Sequence, residues 1–421
     1  MKSSVKFKTG LKILLVFLVI FVAGQGLFHK YNQKGDSNAD ELFALPYLAY
    51  VEDDPNPDTR GIAFHEKNLS FDGINLFVSS DKESAKLIDM NGNLIHNWTS
   101  KGGLGSKWRY AQLDEDGNLY VFIEGSGLVK MDWDSRVIWM TLYSENPLGT
   151  GRYHHDFEIV ENGDILILGA EGRKVNYNSQ EVLIRDDIIV TLDSEGVPKN
   201  FISFYDVLGG QIPQKNWEVA MSKTESVKIF LRKIRNFIRQ KSSEHLDQFD
   251  IFHSNTVEEI KYDIGVAKKG DILFCIRNLN LIGILDRETE ELVWSWGPGV
   301  LDRPHNPTVL ANGNILVFDN GVQRGYSRVL EIDPSTAEIV WKFEADPREA
   351  FFTQTRGGSQ RLPNGNTLIT ESGRGHVFEV TMGGELVWDF WNPDTHDNDK
   401  RATIFRIDRY NNSLFDFENL G

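Results

Sequence analysis

One cysteine, Cys275, in 421 residues leaves no possible intrachain disulfide, no CxxC redox pair and no cysteine-rich zinc site. Stability therefore has to come from packing. Basic residues are also in deficit, with 45 Lys and Arg against 61 Asp and Glu and a formal net charge of −16. That balance excludes a general nucleic-acid role, because phosphate binding needs basic surface, and points to small-molecule or protein partners. Core material is plentiful: 40% hydrophobic and 11% aromatic residues are enough for one large all-β domain.

The N-terminus carries Lys2, Lys6, Lys8 and Lys12, followed by an uncharged run over 13–28. This reads as an export signal over 1–30, a signal anchor or a signal peptide, and the small residues Ala23, Gly24 and Gly26 make only a mediocre cleavage site, which favours the uncleaved anchor. Positive charges ahead of the apolar run put the remainder outside the cytoplasm, in the periplasm or at the cell exterior, tethered to the membrane. Residues 31–70 read as a linker, 71–410 as the folded body and 411–421 as a tail.

The body repeats one pattern. A strand-like run, a turn and a second run recur around Asp116-Gly117-Asn118, Asn162-Gly163-Asp164, Lys269-Gly270-Asp271, Asn312-Gly313-Asn314 and Asn364-Gly365-Asn366, which is hairpin chemistry. A further strand pair follows each, and Trp139, Trp294, Trp341 and Trp388 fall at similar points of the repeat. Four strands per repeat of roughly 40 residues or more predict propeller blades. Five are complete, and a sixth is assembled from 73–98 and the C-terminal 403–410, closing a six-bladed β-propeller without open edges. A β-sandwich or barrel is the rival architecture.

The pattern breaks at 211–248. Ser222 and Glu225 read as a capping box opening an amphipathic helix, with Val227, Phe230, Leu231, Ile234, Phe237 and Ile238 on one face and Lys228, Arg232, Lys233, Arg235 and Arg239 on the other. A basic helix over 222–241 suits an anionic lipid surface, a lid over the pocket, or docking by its apolar stripe with the basic face in solvent.

In a blade, residues before the first strand and after the second meet on the upper face. That rule brings His154, His155, His253 and His305 to the mouths of three successive inner strands. Arg277, Asn320, Arg324, Arg374 and His376 stand at the ends of second strands. A cationic, imidazole-rich pocket is expected. Imidazoles suit zinc or copper, but Asp156 is the one obvious carboxylate partner. The other use is anion chemistry: Arg277 offers a planar fork of donors, Asn255 a neutral donor, and a neutral imidazole a nucleophile or base.

Four stretches carry a resemblance: HisHisAspPheGluIleValGluAsnGlyAspIleLeuIle at 154–167, PheHisSerAsnThrVal at 252–257, IleLeuPheCysIleArg at 272–277, and HisAsnProThrValLeuAlaAsnGlyAsnIleLeuValPheAspAsnGly at 305–321. In content and order they resemble the motif blocks of bacterial aryl-sulfate sulfotransferases, over roughly 71–410. The resemblance implies an extracytoplasmic six-bladed propeller that takes sulfate from a phenolic ester and gives it to a phenol through a sulfohistidine, with no nucleotide donor, cofactor or metal. It makes His305 the sulfated residue, with His253, Asn255 and Arg277 on the sulfuryl oxygens and His155 completing the pocket. His154, Asn320 and Arg324 are expected to add substrate contacts. Four features depart from the family: 31–70 is too short for the large N-terminal β-domain of the enterobacterial type, the single cysteine excludes its disulfide, Phe405-Arg406 stands where Tyr-Arg is expected, and the helical insertion precedes His253. A membrane-anchored, non-catalytic propeller binding a ligand or protein with the same face is the alternative. Trp-containing blades also occur in quinone-cofactor dehydrogenases, but a calcium-site carboxylate cluster and paired cysteines are lacking.

Overall fold

The structure is a computed structural model that describes residues 50–414 apart from 52–53, 81, 101–103, 105–106, 125–126, 142–150, 225–248 and 397–398. One compact unit comprises Tyr47–Trp217 and Gln248–Gly421; Met1–Pro46 and Glu218–Asp247 cluster as a second. The first unit is all-β, six antiparallel sheets that form the blades of a propeller. Blade 1 joins the C-terminal strand Ile404–Tyr410 to Ile74–Ser79, Ser84–Ile88 and Leu94–Thr99, so the two ends of the chain close the ring as expected. Blades 2 to 6 follow in sequence, with inner strands Trp108–Leu113, Gly151–Ile159, Ser254–Glu259, His305–Val309 and Gly358–Arg361, each touching the next around the channel.

The turns explain the repeat. Asn312 Oδ1 accepts the Asn314 N–H at 3.0 Å and Asn364 Oδ1 accepts that of Asn366 at 3.1 Å. Gly313 and Gly365 between them sit at φ +85° and +91°, a left-handed conformation that costs a Cβ-bearing residue about 1–2 kcal/mol. The recurring tryptophan ties blades together. Nε1 of Trp139, Trp294, Trp341 and Trp388 donates to the carbonyls of Ser194, Pro334, Met382 and Met90, each in the outer turn of the following blade. Blade 1 uses His96, whose Nε2 donates to Trp133 O at 2.8 Å. Apolar clusters fill the spaces between neighbouring blades, as where Phe318 and Val329 meet Ile369 and Phe378. Trp388 is fully buried, so Trp388→Phe, which keeps most of the ring and strands the Met90 carbonyl, is expected to lower unfolding stability by about 1–3 kcal/mol in urea titrations.

Part of the segment read as linker belongs to the ring. Gly61–His65 adds a fifth, outermost strand to blade 6. The buried Arg401 clamps the residues before it: Nε donates to Asp54 Oδ2 at 2.9 Å, and its terminal nitrogens to the carbonyls of Thr59, Asn56 and Asn392 at 2.9, 2.6 and 3.1 Å.

The described helices are two and short, α1 (Phe204–Leu208) and α2 (Gln214–Thr224). Helix α2 corrects the capping-box reading: Ser222 lies inside a helix that starts at Gln214, because Pro213 fixes its φ, lacks an N–H to orphan, and offers its carbonyl to Asn216 N at 2.9 Å. The basic run beyond Thr224 and the anchor over 1–30 lie outside the described residues. Among the described residues no helix is long and apolar enough to cross a membrane.

Candidate functional site

The inner strands of blades 3, 4 and 5 share an irregular start. Their pairing with the second strand slips between Ile167 and Gly169, between Ser254 and Thr256, and between His305 and Thr308. Non-glycine residues occupy the left-handed region there: His155 at φ 61°, His253 at 54°, Arg303 at 60° and Asn306 at 45°. A bulge re-aims the side chains around it, and each such conformer costs of order 1 kcal/mol or more. The alternation of a regular strand would send these neighbours to opposite faces.

His154, His253 and His305 are buried and His155 is half-buried, and hydrogen-bond partners fix the protons on their rings. His154 Nε2 faces Gly169 O at 3.0 Å and Asp187 Oδ1 at 3.5 Å, both acceptors, so it carries the proton. Burial, reinforced by Arg185, lowers the His154 pKa, so the ring is neutral and its Nδ1 holds a lone pair. The Nδ1 of His155, 2.7 Å away, must then be the donor. His253 Nδ1 donates to Asp250 Oδ2 at 2.5 Å. His305 Nδ1 donates to Asn320 Oδ1 at 2.7 Å, with Arg303 O at 3.1 Å, while its Nε2 accepts the Arg356 N–H at 3.3 Å. His155, His253 and His305 thus all carry the lone pair on Nε2. The rings of His155 and His253 meet edge to face, 4.8 Å between centroids.

Burial sets the protonation of this group. His305 is pushed down to about 3, by burial first and the Arg277 guanidinium second. Burial, only partly offset by Asp250, takes His253 to about 4. His155 falls well below 6.5 through burial and the neighbouring His253. Two of these neutral imidazoles, His253 and His305, feel one conspicuous cation. Arg277, 2% exposed, follows the second strand of blade 4; the only described hydrogen bond of its side chain is a long one, 3.5 Å from Nη1 to Asn278 Oδ1, and its Nε has no acceptor among the described residues. Among the described residues no carboxylate pairs with it. Arg303 shares Asn278 Oδ1, at 2.5 Å, and is lowered to about 10 by burial and by Arg277.

Other expected residues stand behind the imidazoles. Asn320 spends its whole amide on protein: Oδ1 on His305, Nδ2 on the carbonyls of Thr353 and Arg356 at 2.9 and 2.7 Å. It holds His305, which corrects its reading as a substrate contact, and His154 likewise holds His155. Asn255 donates to Pro304 O at 2.8 Å, bracing the turn before His305. Arg324 pairs with Asp319 at 3.0 Å and lies over Tyr326, a separate cluster. The expected cationic patch fails in blade 6: His376 sits between Glu371 and Asp389 at 2.9 and 2.7 Å, and Arg374 pairs with Glu371 at 3.0 Å. Phe405 lies 6.3 Å from the Tyr110 ring, and Arg406 lies over that ring and pairs with Asp156 at 3.3 Å.

Sequence reasoning passed over Arg356, Asp250, Asp187 and Arg185. Arg356 lies just ahead of the inner strand of blade 6, the place that yielded His253 in blade 4, and the same rule applied to arginines finds it. The other three owe their position to pairings that no local pattern announces. Among the described residues, no three of His, Cys, Asp and Glu are placed to share a metal ion.

Comparison with solved structures returns chains of low identity. A protein of unknown function from Bacteroides caccae is 15% identical, with a TM-score of 0.50 over 80% of this chain and 98% of its own. A streptogramin B lyase is 12% identical at TM-score 0.42, covering 86% and 96%. A catalytically inactive virginiamycin B lyase from Staphylococcus aureus is 11% identical at 0.41, covering 78% and 87%. The first supports the fold and nothing more. No curated protein matches the chain. The model of one family, described as Arylsulfotransferase (ASST), matches residues 110–393, a span that runs from the inner strand of blade 2 to the end of blade 6 and contains every histidine and arginine of the site, so the chain belongs to the arylsulfotransferase family.

Proposed function

We propose that the chain transfers a sulfuryl group from a phenolic sulfate ester to a phenolic acceptor through a sulfohistidine on His305. Arg277 carries this reading: a buried guanidinium with no carboxylate counter-ion among the described residues, set against imidazoles kept neutral by burial. A buried unpaired charge is costly. A bound oxyanion offsets that cost, and the planar fork suits sulfuryl oxygens.

In the first half-reaction His305 Nε2 gives up its long hydrogen bond from the Arg356 N–H and attacks sulfur, the ester S–O bond breaks, and the electron pair leaves on the phenolate. The Nδ1 proton stays on the ring, where Asn320 Oδ1 at 2.7 Å stabilises the positive charge that develops. In the second, the acceptor oxygen bonds to sulfur, its proton passes to an imidazole lone pair, and the S–N electrons return to His305. That proton is then available to the released phenolate, so none is gained or lost over the cycle. Arg277 opposes the charge on the oxygens of the transition state, the electrostatic logic that serves phosphoryl transfer.

The shifts give a signed pH prediction. Protonation silences a nucleophile, so activity should persist below 6.5 and disappear as pH falls through about 4 to 3, the values of His253 and His305. Both folded-state values lie below the unfolded 6.5, so the stability tied to neutral imidazole is complete above 6.5. It is lost on acidification at about 1.4 kcal/mol per pH unit per group. Asp156, raised to about 7 by burial, runs oppositely and loses its contribution as pH rises to 7. An acid limb of kcat/KM near 6.5 would contradict the assignment of neutral, buried imidazoles.

The basic N-terminus and uncharged run of 13–28 support an extracytoplasmic, tethered enzyme. The test of function is 4-nitrophenol release from 4-nitrophenyl sulfate by the full chain with phenol as acceptor. Sulfated phenol as product supports the transferase. Folded protein inert with several phenolic pairs favours a binding scaffold.

A further inference from the structure

Among the described residues, the long hairpin of blade 3 has no counterpart in the other blades. Its strands, Ile165–Tyr177 and Gln180–Leu192, run to 13 residues each, where the corresponding strands of blade 4, Ile272–Ile276 and Leu281–Leu285, have five. Along its far end lies Phe249–Asp250, paired in parallel with Ile184 and Arg185 as the chain enters blade 4. This pairing sets Asp250 beside Arg185, whose Nη1 reaches Asp250 Oδ2 at 3.1 Å and whose Nε reaches Asp187 Oδ1 at 2.9 Å. Asp187 also accepts the N–H and Oγ–H of Ser254 at 2.6 and 2.9 Å. The arginine thus bridges the buried carboxylate of Asp187 and the half-buried one of Asp250, Asp250 reaching His253 directly and Asp187 reaching His154 and, through it, His155.

We infer that Arg185, Asp187, Asp250 and His154 form a tautomer-setting frame that keeps a proton on Nδ1 of both His155 and His253, so that His253 Nε2 takes the proton of an acceptor arriving as a neutral hydroxyl group. The inference rests on the sulfohistidine reading for its chemistry but not for its geometry. In the step concerned, the acceptor O–H bond breaks toward His253 Nε2, the O–S bond forms, and the S–N bond of sulfated His305 breaks with its electron pair returning to Nε2. The new imidazolium keeps its Nδ1–H on Asp250, whose negative charge stabilises it, as a buried aspartate does for the histidine of hydrolase triads. Among the described residues, the charged and titratable groups facing His253 include Asp250, Arg277, Arg185, His155 and His305. Asp250 stays ionised: burial opposes ionisation, and Arg185 with His253 outweighs it, holding the carboxyl below its ordinary range. These four are positioning residues. None is required to touch the sulfuryl group.

The frame is tested on the full chain with 15N-labelled histidine. Imidazole 1H–15N spectra should give the Nδ1–H form for His155 and His253. Asp250→Asn offers His253 an N–H donor in place of a carboxylate, so His253 should switch to Nε2–H while His155 keeps its form; His154→Phe should release His155 alone. In rapid-mixing experiments Asp250→Asn should slow desulfation of sulfated His305 by phenol about 100-fold and leave its formation within about tenfold. Asp250→Glu should restore much of the loss. A wild-type His253 in the Nε2–H form, or an Asp250→Asn enzyme with unchanged tautomers and desulfation, overturns the inference. Should no sulfohistidine form in the wild type, the functional reading falls, while the tautomer spectra still decide the frame.

Discussion

His305→Ala is expected to abolish transfer from 4-nitrophenyl sulfate to phenol, with kcat reduced by roughly 10⁴-fold or more, because the residue is the covalent relay and its neighbours cannot substitute for it. His155 and His253 carry lone pairs on Nε2, but their backbones start from different blades and their Nδ1 protons are held by other partners. The variant leaves Asn320 Oδ1 without its donor and opens a small void, at a cost in stability of about 1–3 kcal/mol. A circular-dichroism spectrum and a urea titration therefore accompany the assay. Added imidazole that recovers part of the turnover separates loss of the nucleophile from loss of the fold. Wild-type protein quenched during turnover should carry one SO₃ group on the peptide containing His305, and the variant none. Full activity in a folded His305→Ala protein would remove the mechanism at its root.

Arg277→Met should divide function from stability. Formation of sulfated His305 is expected to slow by about 10²–10³-fold, the typical loss when one preorganised donor to a developing oxyanion is removed. Unfolding stability should instead rise by about 1–3 kcal/mol, because an apolar side chain of similar length replaces a buried, uncompensated charge. The guanidinium also depresses His305 and His253, so both should titrate nearer their ordinary value in the variant, and the acid limb of any residual activity should move upward. Inorganic sulfate should raise the melting temperature of the wild type and not of the variant. A large loss of stability would instead mean that Arg277 braces blade 4, and its role in anion binding would fail.

The repeat was legible because it is local. Each turn is fixed by a few adjacent residues, such as Asn312 with Asn314, and each outer tryptophan occupies the same place in its blade, so period and blade number follow from the string. The rule that inner-strand mouths meet on one face brought His155, His253, His305 and Arg277 together for the same reason. It does not tell a side chain facing the channel from one standing behind it. Asn320 and His154 satisfy the rule, yet their polar atoms are taken up by protein partners. Ser222 misled for a related reason: a capping box is only a local preference, and Pro213 had already started the helix.

The sequence by itself determined the six blades, their closure by the C-terminal strand, and which residue types gather at one mouth of the channel, since all three follow from periodicity and turn chemistry within short segments. Only the tertiary structure decided which nitrogen of each imidazole holds its proton, that no carboxylate among the described residues pairs with Arg277, and that Asp250 meets His253 directly while Arg185 ties it to Asp187. Those properties depend on bulges that turn side chains off the regular alternation, and on pairings such as Arg185 with Asp250 between residues 65 positions apart, and no local preference encodes contacts at that separation.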